Sequence, residues 1–251
     1  DKKPDIVAGN DLPDFNPDEE YLQELKSPIY YAVQKDIDIR TGGPTLIDFD
    51  MQRISQRINI ILNIRTEGDI KKEDLLPPII ELSGACGHFN ISEACLDTTR
   101  LYRMVHQAQP DEFTQTGENT YRCVVHFHTL GVIPSAAKGH LNGPGILQVA
   151  LQVSANRLDA SGAPVLDQDG KPVKNSRYIY GAINPYDELT AAQLIEVRDG
   201  KTYLRYSKDD VNIEITSPLV IKADQIVSDD TGMGWQPNDP TNPDDDIIIE
   251  I

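Results

Sequence analysis

The chain has 251 residues, which is room for one large all-β domain or two of ordinary size. At 39% hydrophobic residues it can bury a core, and no run reaches the roughly 20 apolar residues that a membrane-spanning helix needs. Its 23 basic and 40 acidic residues give a formal charge of -17, which repels phosphate backbones and anionic lipid and excludes nucleic acid as a partner class.

Asp1-Lys2-Lys3-Pro4-Asp5, with no initiator Met, opens a polar stretch that continues through Asn16-Pro17. It reads as the mature end of an exported chain, with residues 1–26 as a polar leader between an anchor and a folded body. Within it, Asp18 to Leu25 follows a proline and carries apolar residues at i and i+4, which predicts one helical turn ended by Ser27-Pro28. Ile29 to Val33 reads as a strand, and Ile37-Asp38-Ile39 alternates until the turn at Thr41-Gly42-Gly43-Pro44.

Arg57 to Arg65 is the most regular segment, with Ile58, Ile60, Leu62 and Ile64 on one face and Asn59 and Asn63 on the other. Period-two alternation of β-branched residues predicts a strand with one buried face. Ile79 to Gly84 is a second such candidate, and Tyr121 to Leu130 a third. Glycines and prolines from Gly131 to Gly145 interrupt the periodicity, and this stretch reads as a linker. The expected division is therefore a leader at 1–26, an N-terminal sandwich at 27–136 and a C-terminal sandwich at 137–251. In the second half, Ile146 to Val153 and Tyr178 to Tyr180 read as strands. Thr202 to Tyr206 and Val211 to Ile215 read as a strand pair around Ser207 to Asp210, after a helical turn at Thr190 to Leu194. An acidic span from Asp229 to Asp246 leads to the apolar Ile247-Ile248-Ile249-Glu250-Ile251. No internal repeat is read from the pattern. Short strands and frequent turns make the fold class all-β, of sandwich type.

Chemistry-bearing residues are sparse. His126 and His128 share one face of a strand at a spacing that zinc sites use, but no third ligand stands at an informative distance, so they read as solvent-facing histidines. Asp167-Gln168-Asp169-Gly170 begins like a calcium loop, yet Lys171 and Lys174 follow where oxygen ligands are needed, and a turn is the better reading. The acidic span reads as solvated linker in preference to a calcium site, and Trp235 as a plug at the end of a sandwich. Cys86, Cys95 and Cys123 form no C-x-x-C pair; Cys86 and Cys95 either close a short loop or stay buried thiols. Neither a nucleophile elbow, nor a zincin helix, nor a phosphate-binding loop is present. The expectation is a non-enzymatic protein with no cofactor and no metal.

Several segments in order resemble the fimbrillin family, subunits of surface pili of anaerobic Gram-negative bacteria. Ser27-Pro28-Ile29-Tyr30-Tyr31 follows the polar leader, and Asp50 to Ile64 is similar to the family's arginine-bearing entry into a core strand, with Ser55-Gln56 in place of its small apolar residue. Gly200-Lys201-Thr202-Tyr203-Leu204, then Gly234-Trp235 and a last apolar strand, resemble its ending. The resemblance implies two tandem transthyretin-like β-sandwich domains with Greek-key-type connections, and export as a lipoprotein to the outer membrane and cell surface. It implies assembly into a fimbrium with other pilus subunits, with host or bacterial surface receptors as further partners and a lipid anchor as the only membrane contact. It also implies that proteolysis after an arginine removes the first strand, and that a strand of a neighbouring subunit fills the groove. On this chain the candidate processing site is Arg40, with Arg53 and Arg57 as rivals, and the candidate donor strand is Ile247, Ile248, Ile249 and Ile251. The alternative is a surface glycan-binding lipoprotein using Tyr178, Tyr180 and Tyr186.

Overall fold

A computed structural model describes residues 21–39, 41–205 and 210–223. Two sheets face each other across one core. The wider sheet has six strands: β4 (Ile79–Asn90), β5 (Cys95–Gln107), β8 (Leu147–Asn156), β9 (Lys174–Ile183), β10 (Ile195–Arg198) and β11 (Lys201–Leu204). They lie in the order β10-β11-β5-β4-β8-β9. The narrower sheet is formed by β3 (Gln56–Glu67), β6 (Phe113–Gly117), β7 (Thr120–Thr129) and β12 (Val211–Lys222), in the order β12-β3-β7-β6. A two-strand ladder pairs β1 (Tyr30–Tyr31) with β2 (Gln52–Arg53), and one helix, α1 (Tyr186–Ala191), precedes β10.

The alternation seen in the sequence sets the core. Ile58, Ile60, Leu62 and Ile64 of β3 and Tyr121, Cys123, Val125 and Phe127 of β7 are all buried. They pack in one cluster with Ile80 and Leu82 of β4 and with Leu147, Val149, Leu151 and Val153 of β8. At about 25 cal/mol per Å² of apolar surface removed from water, each such side chain contributes on the order of 2 kcal/mol.

That cluster draws on both halves of the chain, which corrects the expectation of two tandem domains at 27–136 and 137–251. β8 pairs with β4 and β11 with β5, while β12 lies parallel to β3 with Ile213 beside Ile60. The described strands therefore form a single sandwich. The stretch read as a linker is knitted to β4: Cys86 N–H donates to Gly131 O, Ile133 N–H to Gly84 O and Gly145 N–H to Ser83 O, all within 3.0 Å. Its glycines mark a close backbone crossing. Gly84 and Gly145 both have positive φ, and a Cβ on Gly84 would lie 2.6 Å from Gly145 N.

Other expectations change with the pairing. Val211 to Ile215 does not form a hairpin with Thr202 to Tyr206, because β11 belongs to the wide sheet and β12 to the narrow one. The helical turn expected over Asp18 to Leu25 is absent from its described part, since Leu22 and Leu25 give their N–H groups to β5 and β7. The expected strand at Ile29 to Val33 is cut to Tyr30–Tyr31. β5, thirteen residues long, escapes the pattern because only Cys95, Leu96 and Met104 are buried in it and their spacing follows no period of two.

A repeat also emerges. Leu158 to Val165 and Leu166 to Val173 share Leu, Asp, Gly, Pro and Val in register. Their ends close a ring of backbone bonds, Arg157 N–H to Val173 O, Val173 N–H to Val165 O and Val165 N–H to Arg157 O, each 2.8 Å. Asp159 and Asp167 each accept two turn amides on one carboxylate oxygen, so Asp167 is a turn residue.

Because one core carries both halves, a lesion in the former linker crossing must be felt everywhere. Gly84→Ala is expected to cost about 3 kcal/mol through strain and backbone overlap. Hydrogen exchange should show the same loss of protection in β3 and β8; a loss confined to one of them would contradict a single cooperative unit.

Candidate functional site: a strap across an open seam

Two facing sheets leave two seams, and here the strands along one seam have unpaired edges. β11 meets β5 only at Thr202–Leu96, so β5 is open towards Gln107. β6 pairs with β7 only from Thr120 to Cys123, so β7 is open towards Thr129. Residues 21–31 run along this gap as a strap. Tyr21 forms a parallel bridge with Arg103, and Leu22 N–H donates to Arg103 O at 2.8 Å. Three residues on, Leu25 N–H donates to His128 O at 2.9 Å, joining the strap to the other sheet. Ile29 then exchanges bonds with Ser55 and Ile54, and Tyr30–Tyr31 pairs with β2.

Under the strap lies a second apolar cluster of Ile54, Cys86, Leu96, Leu130 and Leu204, against which Leu25 and Tyr31 pack. Tyr31 also meets Phe89 edge-on and donates its hydroxyl to Ile91 O. Leu22 packs against the main core. Each of these half-buried side chains adds on the order of 1 kcal/mol. The strap is thus held by a handful of edge bonds and a few apolar contacts, the signature of a segment that opens locally before the sandwich does.

Its polar anchors are ionisable. Glu81, on the outer side of β4 and almost fully buried, accepts the Tyr21 hydroxyl at 3.2 Å and pairs with the Arg103 guanidinium. Burial pushes the Glu81 carboxyl up to about 7, with the Tyr21 bond opposing. Burial also pushes the Tyr21 hydroxyl well above its usual value, with Glu81 adding to it. Glu24 lies 3.4 Å from His106 Nδ1, and Glu112 lies 2.9 Å from His106 Nε2. The Glu24 bond, opposed by burial and joined by Glu112, holds the imidazole above its usual value. Desolvation of Glu112 is outweighed by the Gln109 amide and His106, so that its carboxyl sits below the usual range.

The residues singled out from the sequence fall into place as follows. His126 faces Glu112 at 3.6 Å, whereas His128, on the same strand face, is covered by the strap. His128 Nδ1 lies 2.7 Å from Leu25 O and Nε2 2.9 Å from Ser55 Oγ, which makes it a buried structural histidine rather than a solvent-facing one. Among the described residues no three His, Cys, Asp or Glu are grouped to hold a metal ion. All three cysteines are unpaired and buried, and burial pushes the Cys86 and Cys123 thiols up to about 12. Arg53 and Arg57 stand in β2 and β3, each 3.9 Å from the Asp210 carboxylate. Arg40 lies outside the described residues, while its neighbours Ile39 and Thr41 are exposed. Ile247 to Ile251, the acidic span and Trp235 also lie outside them. Tyr178 and Tyr180 stack on β9 at 6.1 Å, and Tyr186 opens α1.

The sequence reads the strap as the end of a polar leader with one helical turn, followed by a strand from Ile29, and not as the cover of a seam. Tyr21, Leu22 and Leu25 carried the signal, three apolar residues in a polar stretch, but nothing local showed that their partners lie some 80 to 100 positions away.

No family model and no curated protein matches the chain. A crystal structure from Bacteroides ovatus, of a protein described provisionally as an adhesin, aligns over 80% of this chain and 59% of its own, at 8% identity and a TM-score of 0.38. A superposition of that quality defines neither a shared fold nor a shared function.

The anchor at Glu81 has a measurable consequence. A carboxyl whose folded-state value is raised to about 7 favours folding below its unfolded value and loses that contribution as pH rises through about 7. Arg103→Leu leaves that carboxyl unpaired, so it should cost about 3 kcal/mol near pH 8.5 and about 1 kcal/mol near pH 5, where a proton replaces the guanidinium. Urea unfolding at the two pH values reads the difference; equal losses would mean that Glu81 stays ionised throughout.

Proposed function

We propose that this chain is an exported, non-enzymatic subunit of a bacterial surface fibre, built to exchange its first strand for a strand of another subunit. The observation that carries the reading is the strap. It closes the seam between two sheets by edge pairing, and edge pairing is what an incoming strand of another copy reproduces. Its connection to the body favours removal by a protease. From Val33 to Met51 the chain is largely exposed, Ile39 at 75% and Leu46 at 89%, and Arg40 falls within that stretch. Cleavage there separates the strap from the body, and its departure uncovers Leu130, Leu96 and Ile54. The apolar Ile247-Ile248-Ile249-Glu250-Ile251 is the segment assigned to fill the uncovered seam in a neighbour. Other subunits are then the principal partners, surface receptors the secondary ones, and an N-terminal lipid anchor the membrane attachment.

A second reading, a surface glycan-binding lipoprotein, is favoured by one observation. Tyr178 and Tyr180 stack with their planes 26° apart on β9, an edge strand of the wide sheet, and such paired rings suit the face of a sugar. Loss of glycan binding in Tyr180→Ala would support it.

Digestion with an arginine-specific protease separates the two. A single cut between Ile29 and Arg57, followed by oligomers or filaments in electron microscopy, is expected, and deleting Ile247 to Ile251 should abolish them. A chain that is cut, loses its strap and remains monomeric would sink strand exchange.

A further inference from the structure

We propose that His106 is a proton-dependent latch on the strap: doubly protonated it holds the Glu24 carboxylate, and on losing one proton it frees the strap to leave the seam. The latch concerns regulation of the seam described above and relies on strand exchange for its use, but its hold is measurable without assembly.

The geometry carries the inference. His106 sits on β5 with a carboxylate at each ring nitrogen, Glu24 of the strap at Nδ1 and Glu112 of the β5–β6 turn at Nε2. Neutral imidazole has one N–H, so it can donate to only one of two carboxylates; the imidazolium donates to both. Once one proton leaves, the other nitrogen turns a lone pair towards a carboxylate.

Which bond is lost follows from what else holds each acid. Glu112 also accepts the Gln109 N–H at 2.8 Å and lies 3.6 Å from His126 Nδ1, and its bond to His106 is the shorter one. Glu24 has the longer bond, and it belongs to a strap that meets the sheets through a few amides. The remaining proton stays on Nε2 with Glu112, and Glu24 is released. The groups facing His106 are thus Glu24 from the strap, Glu112 from the turn and His126 from β7, whose ring centre lies 5.5 Å away, with Phe127 completing the wall.

The sign is set by the same contacts. Docking of Glu24 and Glu112 raises the affinity of His106 for its second proton, so the latch is fully engaged below the ordinary imidazole range and is lost as pH rises through the raised value. Tyr21 acts in the opposite direction, because Glu81 becomes the better acceptor for its hydroxyl as the carboxyl ionises. The strap therefore has one anchor that loosens with rising pH and one that tightens.

Hydrogen exchange on the full chain tests the latch through the amides of Leu22 and Leu25, at about pH 5.5 and pH 8.0 after correction for intrinsic rate. Their protection should fall about tenfold at the higher pH, while the β3 amides keep theirs. Glu24→Gln should abolish the fall and leave at most the rise that the Tyr21 anchor produces, and Tyr21→Phe should keep or widen the fall. EDTA should change nothing. Protection independent of pH, a fall that survives Glu24→Gln, or one that vanishes with EDTA would overturn the proton latch. Should the amides behave as expected while the cut chain never assembles, the latch stands and the strand-exchange reading falls.

Discussion

Strand edges that stop short of one another are the constraint on which the rest of this structure depends. β5 and β7 carry the seam side of the sandwich, and each outruns the neighbour that should cover it, β11 in one sheet and β6 in the other. Unpaired backbone groups over an apolar interior are costly, because a buried amide without a partner forfeits the bond it had with water. The strap resolves this by offering its own amides to both edges in turn, Leu22 to Arg103 and Leu25 to His128.

The same solution explains the polar residues around it. A segment that lies on edges cannot bury a full face, so Leu22, Leu25 and Tyr31 are only partly enclosed. Ionisable anchors add hold where apolar area cannot. Glu81 with Tyr21 and Arg103, and His106 with Glu24 and Glu112, lie where the strap crosses β5. Both sets depend on protonation, because burial or paired carboxylates displace Glu81 and His106 from their ordinary ranges. A strap held this way is separable from the sandwich, whose central strands keep their own cluster.

Several features of the sandwich were legible in the chain. The alternation of Ile58 to Ile64 and of Tyr121 to Phe127 named the strands and their buried faces, because a period of two is local and nothing else in the chain competes with it. The repeat from Leu158 to Val173 was equally local, five shared positions in each group of eight, and a comparison at that spacing would have found it. Gly131 to Gly145 was misread for a physical reason. Glycine serves both a flexible linker and a crossing where two backbones nearly touch, and only the neighbour of Gly84 tells them apart.

The amino-acid sequence by itself determined an all-β chain with a strongly acidic surface, the core faces of its regular strands, and a polar N-terminal stretch with a few apolar residues set into it. Only the tertiary structure decided that both halves share one core, that β12 lies parallel to β3, that His128 is buried under the strap while His126 faces Glu112, and that Glu24 meets His106. Periodicity is written between neighbours in sequence, whereas edge pairing and charge partnership join residues some 80 to 150 positions apart. No local pattern records which distant edge is left open.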